Sequence, residues 1–296
     1  MLLLLLSSTL LASNTYILLV RNGTDISRDL TSADRLLDAV EIGTNEMLYN
    51  VSLSPESLSR LRSRNEIEIE EDAVISVQKS RTIQPNLTKF SPPKFSPVFT
   101  GQFLVRLNSP WSLGFLTNSS SFEYFSNIGR GVAVFVLDTG IDTTHPEFRN
   151  SGRVVENCAD FTNKNSRKNQ KRKRSKSRTN GNNDDNGHGT HIAGIIGGVE
   201  SGVAKHADLL GVKILDSSGR GRMYSMYRGI HYAVNRARRS GLTRVVVNLS
   251  IAGAKNAQIN KLINRMSNKK NVVFVTATSA RAAAPTRLAR RDAPSP

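Results

Sequence analysis

A single cysteine, Cys158, stands among the 296 residues, so no internal disulfide can form and no second thiol is present for a cysteine-rich zinc site. Stability has to come from packing. Apolar residues make up 38% and charged residues 22% of the chain, ordinary globular usage that excludes both wholesale disorder and a polytopic membrane protein. The length predicts one or two domains, at roughly 150 residues per domain, each large enough to bury a core.

Acidic residues are scarce, 24 against 41 Lys and Arg, and they crowd at one end. Residues 1–80 carry net charge −5, and the remainder carries +22. An acidic front therefore precedes a basic body. Eight Lys or Arg and no acid fall between Arg167 and Arg178, in a setting of Asn, Ser and Gly that cannot make a core. This run, within an insertion over 164–183, reads as a solvated surface loop. Contact with nucleic acid or an anionic membrane is the other reading, but no aromatic residue interleaves it, and no nucleic-acid partner is expected.

Met1–Ser13 opens with leucines and closes on small residues, as a signal peptide does, implying the secretory pathway. It lacks a basic n-region and is too short to span a bilayer, so a start site placed too far downstream is the alternative. Asn-x-Ser/Thr sequons at Asn22, Asn50, Asn86, Asn118 and Asn248 add weak support. Over 15–78 the pattern alternates. Tyr16–Val20 reads as a strand, Thr31-x-x-Asp34 as the cap of a helix carrying Leu36, Leu37 and Val40, and Met47–Leu53 as a strand. Ser54-Pro55-Glu56 starts a second helix, and Ile67–Val77 reads as one alternating strand. That is a small α+β unit. Residues 79–109 are rich in Pro, Lys, Ser and Asn without period, a linker.

Beyond the linker, Gly131–Leu137, Leu209–Leu215, Arg244–Leu249 and Asn271–Val275 are apolar runs, as for strands covered on both faces. Ile192–Ile196, Met223–Arg239 and Ala257–Met266 fit helical periods between them. The fold class is α/β, a doubly wound parallel sheet over 110–279. In such a sheet chemistry gathers at the carboxyl ends of the strands. Asp138 stands there, either an orienting acid or a turn aspartate. His188, flanked by two glycines in Asn-Gly-His-Gly-Thr-His, opens a helix after an acidic turn. An aspartate that fixes the tautomer of such a histidine makes two thirds of a serine-hydrolase triad.

These two segments, Val-Phe-Val-Leu-Asp138-Thr-Gly-Ile-Asp with His-Pro-Glu, and Asn-Gly-His188-Gly-Thr-His-Ile-Ala-Gly, resemble the aspartate and histidine signatures of subtilisin-like serine proteases (peptidase S8). The similarity runs over roughly 109–278, through Gly202-Val-Ala, Leu210-Gly-Val-Lys-Ile-Leu-Asp216 and Val247-Asn-Leu-Ser-Ile-Ala-Gly253. Ser-Pro-Trp111 resembles the mature amino terminus of the proteinase K branch. Residues 15–78 resemble the family's inhibitor I9-type propeptide, a ferredoxin-like module whose carboxyl end threads toward the cleft. The resemblance implies an endopeptidase zymogen acting on proteins and peptides, with its own propeptide as a partner in cis. It implies Asp138 as the orienting acid, His188 as the general base, and Ser250, Ile251, Ala252 and Gly253 as a substrate-binding edge. Calcium is common in that family, but Asp216 and Glu147 are isolated carboxylates here and the loop Gly198–Gly202 carries one acid, so no metal site is assigned; no cofactor and no membrane span are expected.

The match stops after Asn271-Val-Val-Phe-Val-Thr-Ala. The family continues to an oxyanion-hole asparagine and then a Gly-Thr-Ser-Met-Ala type segment bearing the nucleophile. Here Thr278-Ser-Ala-Arg281 follows, and 280–296 is an Arg/Ala/Pro-rich tail unlike the chain before it. The catalytic body is thus expected to be partial, a truncated gene model, and the chain alone inactive. Ser250 lacks the Gly-x-Ser-x-Gly elbow and is no substitute nucleophile. His145 and His191 are assigned structural roles, His191 on a helix face turned to packed neighbours, and Cys158 none. Two other readings compete. One is a pseudoprotease whose amino-terminal module inhibits active relatives. The other is a metal-dependent hydrolase built from Asp138, Asp142, His145, His188 and His191, which lacks a His-Glu-x-x-His helix.

Overall fold

The computed structural model describes residues 15–21, 23–42, 45–77, 128–149, 152–162, 183–267 and 271–277. The leader 1–13, the linker 79–109, Trp111, the insertion up to residue 182 and the tail 280–296 lie outside the described residues.

The acidic front folds as β1 (Thr15–Arg21), β2 (Arg35–Glu41), β3 (Glu46–Ser52), α1 (Pro55–Arg62) and β4 (Ile67–Glu71). The strands form an antiparallel sheet in the order β2-β3-β1-β4. That is the strand order of a ferredoxin-like unit, with the first crossover helix reduced to a three-residue 3-10 turn at Ser27–Asp29. The helix expected after Thr31-x-x-Asp34 is instead strand β2. Asp34 does accept the Thr31 amide and hydroxyl, but it also accepts the Ser54 amide and the Ser57 hydroxyl. Desolvation opposes ionisation of this carboxyl, yet the hydrogen bonds from Ser57, Thr31 and Ser54 win and hold it well below the usual carboxylate range. The cap signal is thus spent on tying the turn to the start of α1. Leu36, opposite Val51, is left 59% exposed.

Within β1 the stretch Tyr16–Val20 is continuously apolar because both its faces are covered. Tyr16, Leu18 and Val20 pack with Leu61 of α1, while Ile17 enters the cluster that forms the core of the body.

The body comprises β6 (Ala133–Asp138), β7 (Val155–Asp160), α2 (His188–Gly197), β8 (Asp208–Lys213), β9 (Arg220–Arg222), α3 (Met223–Arg239), β10 (Val245–Leu249), β11 (Ile251–Gly253), α4 (Ala257–Ser267) and β12 (Val272–Thr276). Five strands form a parallel sheet in the order β12-β10-β6-β8-β7. Val134 and Val136 of β6 meet Ala193 of α2 on one face. Phe135 and Leu137 meet Tyr227 and Ile230 of α3 on the other, in a cluster that also takes in Ile259 and Leu262 of α4. The sheet is therefore doubly wound, and β6, buried at every residue, is its centre. On β12, Val273 and Val275 are 58% and 49% exposed. Among the described residues no helix is long and apolar enough to cross a membrane.

The segment expected as one strand over Ile67–Val77 breaks at Asp72-Ala73. Its second part, β5 (Val74–Val77), leaves the first sheet and runs between β11 and β9, antiparallel to both. The break is held by the body. Asp72, 3% exposed, accepts the Tyr224 amide at 2.9 Å, and the Ala73 carbonyl accepts the Met223 amide, both at the start of α3. Glu70 likewise accepts the Gln258 amide at the start of α4, at 3.0 Å. Carboxylates at helix amino termini meet both unpaired N–H groups and the positive end of the dipole. Desolvation pushes the Glu70 carboxyl above its ordinary range despite that bond.

Ion pairs across the same seam join Glu68 to Lys261 at 3.0 Å, Asp38 to Arg228 at 3.2 Å, and Glu46 to Arg265. In each the acid lies in the front and the base in the body, the local form of the charge asymmetry. Of the sequons, Asn248 is 9% exposed within β10 and donates to Ser250, so it is a strand residue and not a surface acceptor.

Replacing Asp72 by Ala leaves a buried helix-terminal N–H unpaired and is expected to destabilise the chain by about 1–3 kcal/mol in urea unfolding. Asp72→Asn, which keeps an acceptor oxygen, should lose less.

Candidate active site

Asp138 is the last residue of β6 and is fully buried. Its register partner on β8 is Lys213, so the loops after both strands open at one edge of the sheet. His188, 50 positions further on, is the first residue of α2. Its Nδ1 lies 2.8 Å from Oδ1 and 3.0 Å from Oδ2 of Asp138. An ionised carboxylate only accepts, so Nδ1 carries the proton and Nε2 keeps the lone pair.

The close approach requires Gly189. A Cβ there would sit 2.1 Å from the Gly140 carbonyl oxygen and 3.2 Å from Cβ of Asp138. Around it, Asp184 acts as a hub. Its Oδ1 accepts from the Thr139 hydroxyl and the Gly187 amide, and its Oδ2 from the Thr190 amide and hydroxyl. Desolvation works against ionisation of Asp184, but those hydrogen bonds lower its carboxyl below the ordinary value. Thr139 in turn accepts the Gly189 amide. The Lys213 ammonium, nearly buried, donates to the Thr139 carbonyl and to Asp185, each at 2.6 Å. Asn157 clamps Ile141 through both its amide and its carbonyl.

Sequence reasoning singled out Asp138 and His188 but passed over Asp184, Thr139, Lys213 and Asn157. For Asp184 the acidic turn before the histidine was a signal. For Lys213 and Asn157 there was none, since each meets its partner through the sheet register.

The hydrogen bond to Asp138 is the main cause that raises the His188 pKa, and the charges of Asp138 and Asp184 add to it. Partial burial acts in the opposite sense. Among the described residues no serine hydroxyl is hydrogen-bonded to His188. The Ser250 hydroxyl is occupied by the Asn248 amide at 2.9 Å. Ile251, Ala252 and Gly253 pair with Val77, Ser76 and Ile75 of β5. On the opposite side of β5, the Val77 amide donates to the Gly219 carbonyl. Gly219 has φ +70°, and a Cβ on it would stand 2.8 Å from Val77 Cγ2 and 3.5 Å from Asn186 Nδ2. The end of β5 therefore lies beside the loop that carries His188.

His145 is drawn into its own turn, its Nδ1 accepting the Glu147 amide. His191 is exposed, contrary to the packed position expected of it. Among the described residues no three His, Cys, Asp or Glu side chains converge as a metal-holding group. Burial, with Glu156 adding, pushes the Cys158 thiol up to about 12, which leaves it unreactive.

The profile of the subtilase family of peptidases matches residues 129–292, more than half of the chain. The chain belongs to that family. This subtilase is 36% identical over 174 residues to Subtilisin-like protease 10 of Trichophyton verrucosum, covering 57% of this chain and 29% of that one. It is 34% identical over 179 residues to Subtilisin-like protease 5 of Arthroderma gypseum, covering 59% and 40%. With Alkaline serine protease ver112 of Corniculantispora psalliotae it shares 30% over 235 residues, covering 77% and 50%. The chain thus spans half or less of the length of these relatives. Among solved structures, a cold adapted subtilisin-like serine proteinase aligns at 27% identity and a TM-score of 0.42, covering 53% of this chain and 50% of that one. Sphericase aligns at 30% and 0.40, covering 52% and 48%.

An NMR titration should find His188 above the ordinary value of about 6.5, and Asp138→Asn should bring it down to that value or below, where burial dominates. Because the folded pKa is raised, the pairing contributes stability in full below the unfolded pKa and loses it as pH rises through the folded one.

Proposed function

We propose that this subtilase is the zymogen of a secreted serine endopeptidase that hydrolyses protein and peptide substrates. Residues 15–78 would be its inhibitory propeptide. The reading is carried by one observation: a buried aspartate orients the histidine at a helix start, beside a slot in which the chain's own strand β5 is bound by backbone pairing on both sides.

In that role Asp138 holds the imidazole with Nε2 outward, and His188 takes the proton of a serine hydroxyl as it attacks the peptide carbonyl. His188 then gives the proton to the leaving amine, and Asp138 steadies the imidazolium between the two steps. Ile251, Ala252 and Gly253 lay the substrate backbone as an added strand, the position β5 now fills. Substrate cannot enter until β5 leaves, which makes the front an inhibitor in cis. No cofactor enters the scheme.

The 296-residue polypeptide has no Gly-Thr-Ser-Met-Ala type segment and no asparagine following Ala277, so on its own it is assigned turnover near background. In subtilisin, loss of the serine alone lowers kcat about 10⁶-fold. The occupied slot also favours a second role, a pseudoprotease whose module inhibits active relatives.

Two measurements test the reading. The chain alone should resist a serine-directed fluorophosphonate probe, and labelling that His188→Ala abolishes would overturn the assigned inactivity. The chain extended by the carboxyl-terminal part of a fungal relative should hydrolyse peptides. In that form Asp138→Asn should lower kcat by about 10⁴-fold, and the rate should fall as pH drops through the raised His188 pKa. An extended chain indifferent to both residues would end the protease reading.

A further inference from the structure

Strand β5 records which side chains of a bound peptide meet which side chains of the body. In its pairing with β9, Ile75 lies opposite Gly221, Val74 opposite Arg222 and Ser76 opposite Arg220. Directly opposed residues of an antiparallel pair share a face and lie within side-chain reach. Ile75 points inward, 1% exposed, into the apolar cluster that holds Ile214, Leu215 and Met223. Val74 points outward and is 54% exposed. A cavity of about 240 Å³ opens there, lined among others by Val74, Thr162, Asp216, Arg220, Arg222 and Ser225.

Two guanidinium groups thus flank the slot opposite residues that offer them no charge. Arg222 reaches past Val74 to Asp72, its Nε 3.9 Å from that carboxylate, so the front already places one acid against it. Arg220 has no side-chain ion pair among the described residues. Asp216, the cavity's own carboxylate, is turned to its own loop and accepts from the Ser218 amide and hydroxyl and from the Arg220 amide.

We propose that Arg220 and Arg222 are specificity-determining residues. They select peptides with a carboxylate side chain on one or both sides of a buried branched aliphatic residue, acid–aliphatic–acid in the places of Val74, Ile75 and Ser76. This rests on the reading of the slot as the peptide site and adds the substrate class to it. Backbone pairing holds any strand equally, so the outward side chains are where charge discriminates. Exposed cross-strand ion pairs give about a two- to five-fold preference each, and salt screens them. The inward pocket demands an apolar side chain, and the basic rim rejects Lys and Arg at the flanking places.

The test uses the full chain with Val74→Glu, Ser76→Glu or Val74→Lys, each with and without Arg222→Gln or Arg220→Gln. Hydrogen exchange of the β5 amides is the readout. At low salt each Glu should slow exchange about two- to five-fold, Val74→Lys should speed it, and removal of the opposing arginine should cancel the effect. Equal effects of Glu and Lys, or an effect that survives loss of the arginine, overturn the proposal. A second arm weakens the tenant with Ile75→Ser and measures fluorescence anisotropy of labelled pentapeptides Ala-Glu-Ile-Glu-Val, Ala-Gln-Ile-Gln-Val and Ala-Lys-Ile-Lys-Val. Tightest binding of the acidic peptide supports the selection. Equal binding of all three overturns the charge preference and leaves the slot reading standing, whereas no binding of any peptide to a chain whose β5 exchanges freely removes the slot reading too.

Discussion

A carboxylate at the sealed end of the central strand is the constraint on which the rest of the body turns. Asp138 has no access to water, and an unpaired buried charge would cost several kcal/mol. The Thr139 amide and the His188 ring supply its partners. The ring can reach it only because Gly189 admits the close approach and because Asp184 knots Thr139, Gly187 and Thr190 into one hydrogen-bonded turn. Lys213, almost as buried, finds its own acceptors in the neighbouring carbonyl and Asp185. What the geometry produces is a histidine with one nitrogen fixed and the other available, the arrangement a general base requires.

The second dependence runs through β5. Without it β9 and β11, three residues each, would face one another across an empty slot with unpaired backbone groups on both edges. With it they form a three-stranded sheet. The same strand carries the connection between front and body. Asp72 stops β4, turns the chain at α3 and launches β5, while Glu70 serves α4. Removing the front would therefore uncover two helix amino termini, two strand edges and the apolar seat of Ile75 at once. On the proposed zymogen reading, this concentration of contacts suits a segment that holds the slot closed and then leaves it as a unit. The acid-to-base ion pairs along the seam add orientation more than strength, each being partly solvated.

Long-period patterns were legible in the chain because they reflect burial on both faces. The runs of β6, β8 and β10 and the periods of α3 and α4 identified a doubly wound sheet, and Met223–Arg239 coincides with α3; β12 has as apolar a run, yet its Val273 and Val275 stand exposed. Short or polar elements were not legible. β7 reads Val-Glu-Asn-Cys-Ala-Asp, and its Asn157 and Glu156 are buried for the partners they meet, not for their own polarity. β9 and β11 are strands only because β5 lies between them. The helix expected from Thr31-x-x-Asp34 failed for a related reason, since the capping carboxylate found donors at Ser54 and Ser57, 20 and 23 residues away, and local propensity yielded to them.

The sequence by itself determined the family, the α/β class, the aspartate after a buried strand and the histidine between glycines, since each of these is written in contiguous residues whose side-chain types alone carry the signal. Only the tertiary structure decided that Asp138 and His188 meet, that Ser250 is turned to Asn248, that Ile67–Val77 is two strands in two different sheets, and that Arg220 and Arg222 flank the slot. Those are facts about register and about which strand lies beside which, and register is fixed by the burial of whole faces rather than by any residue read in order.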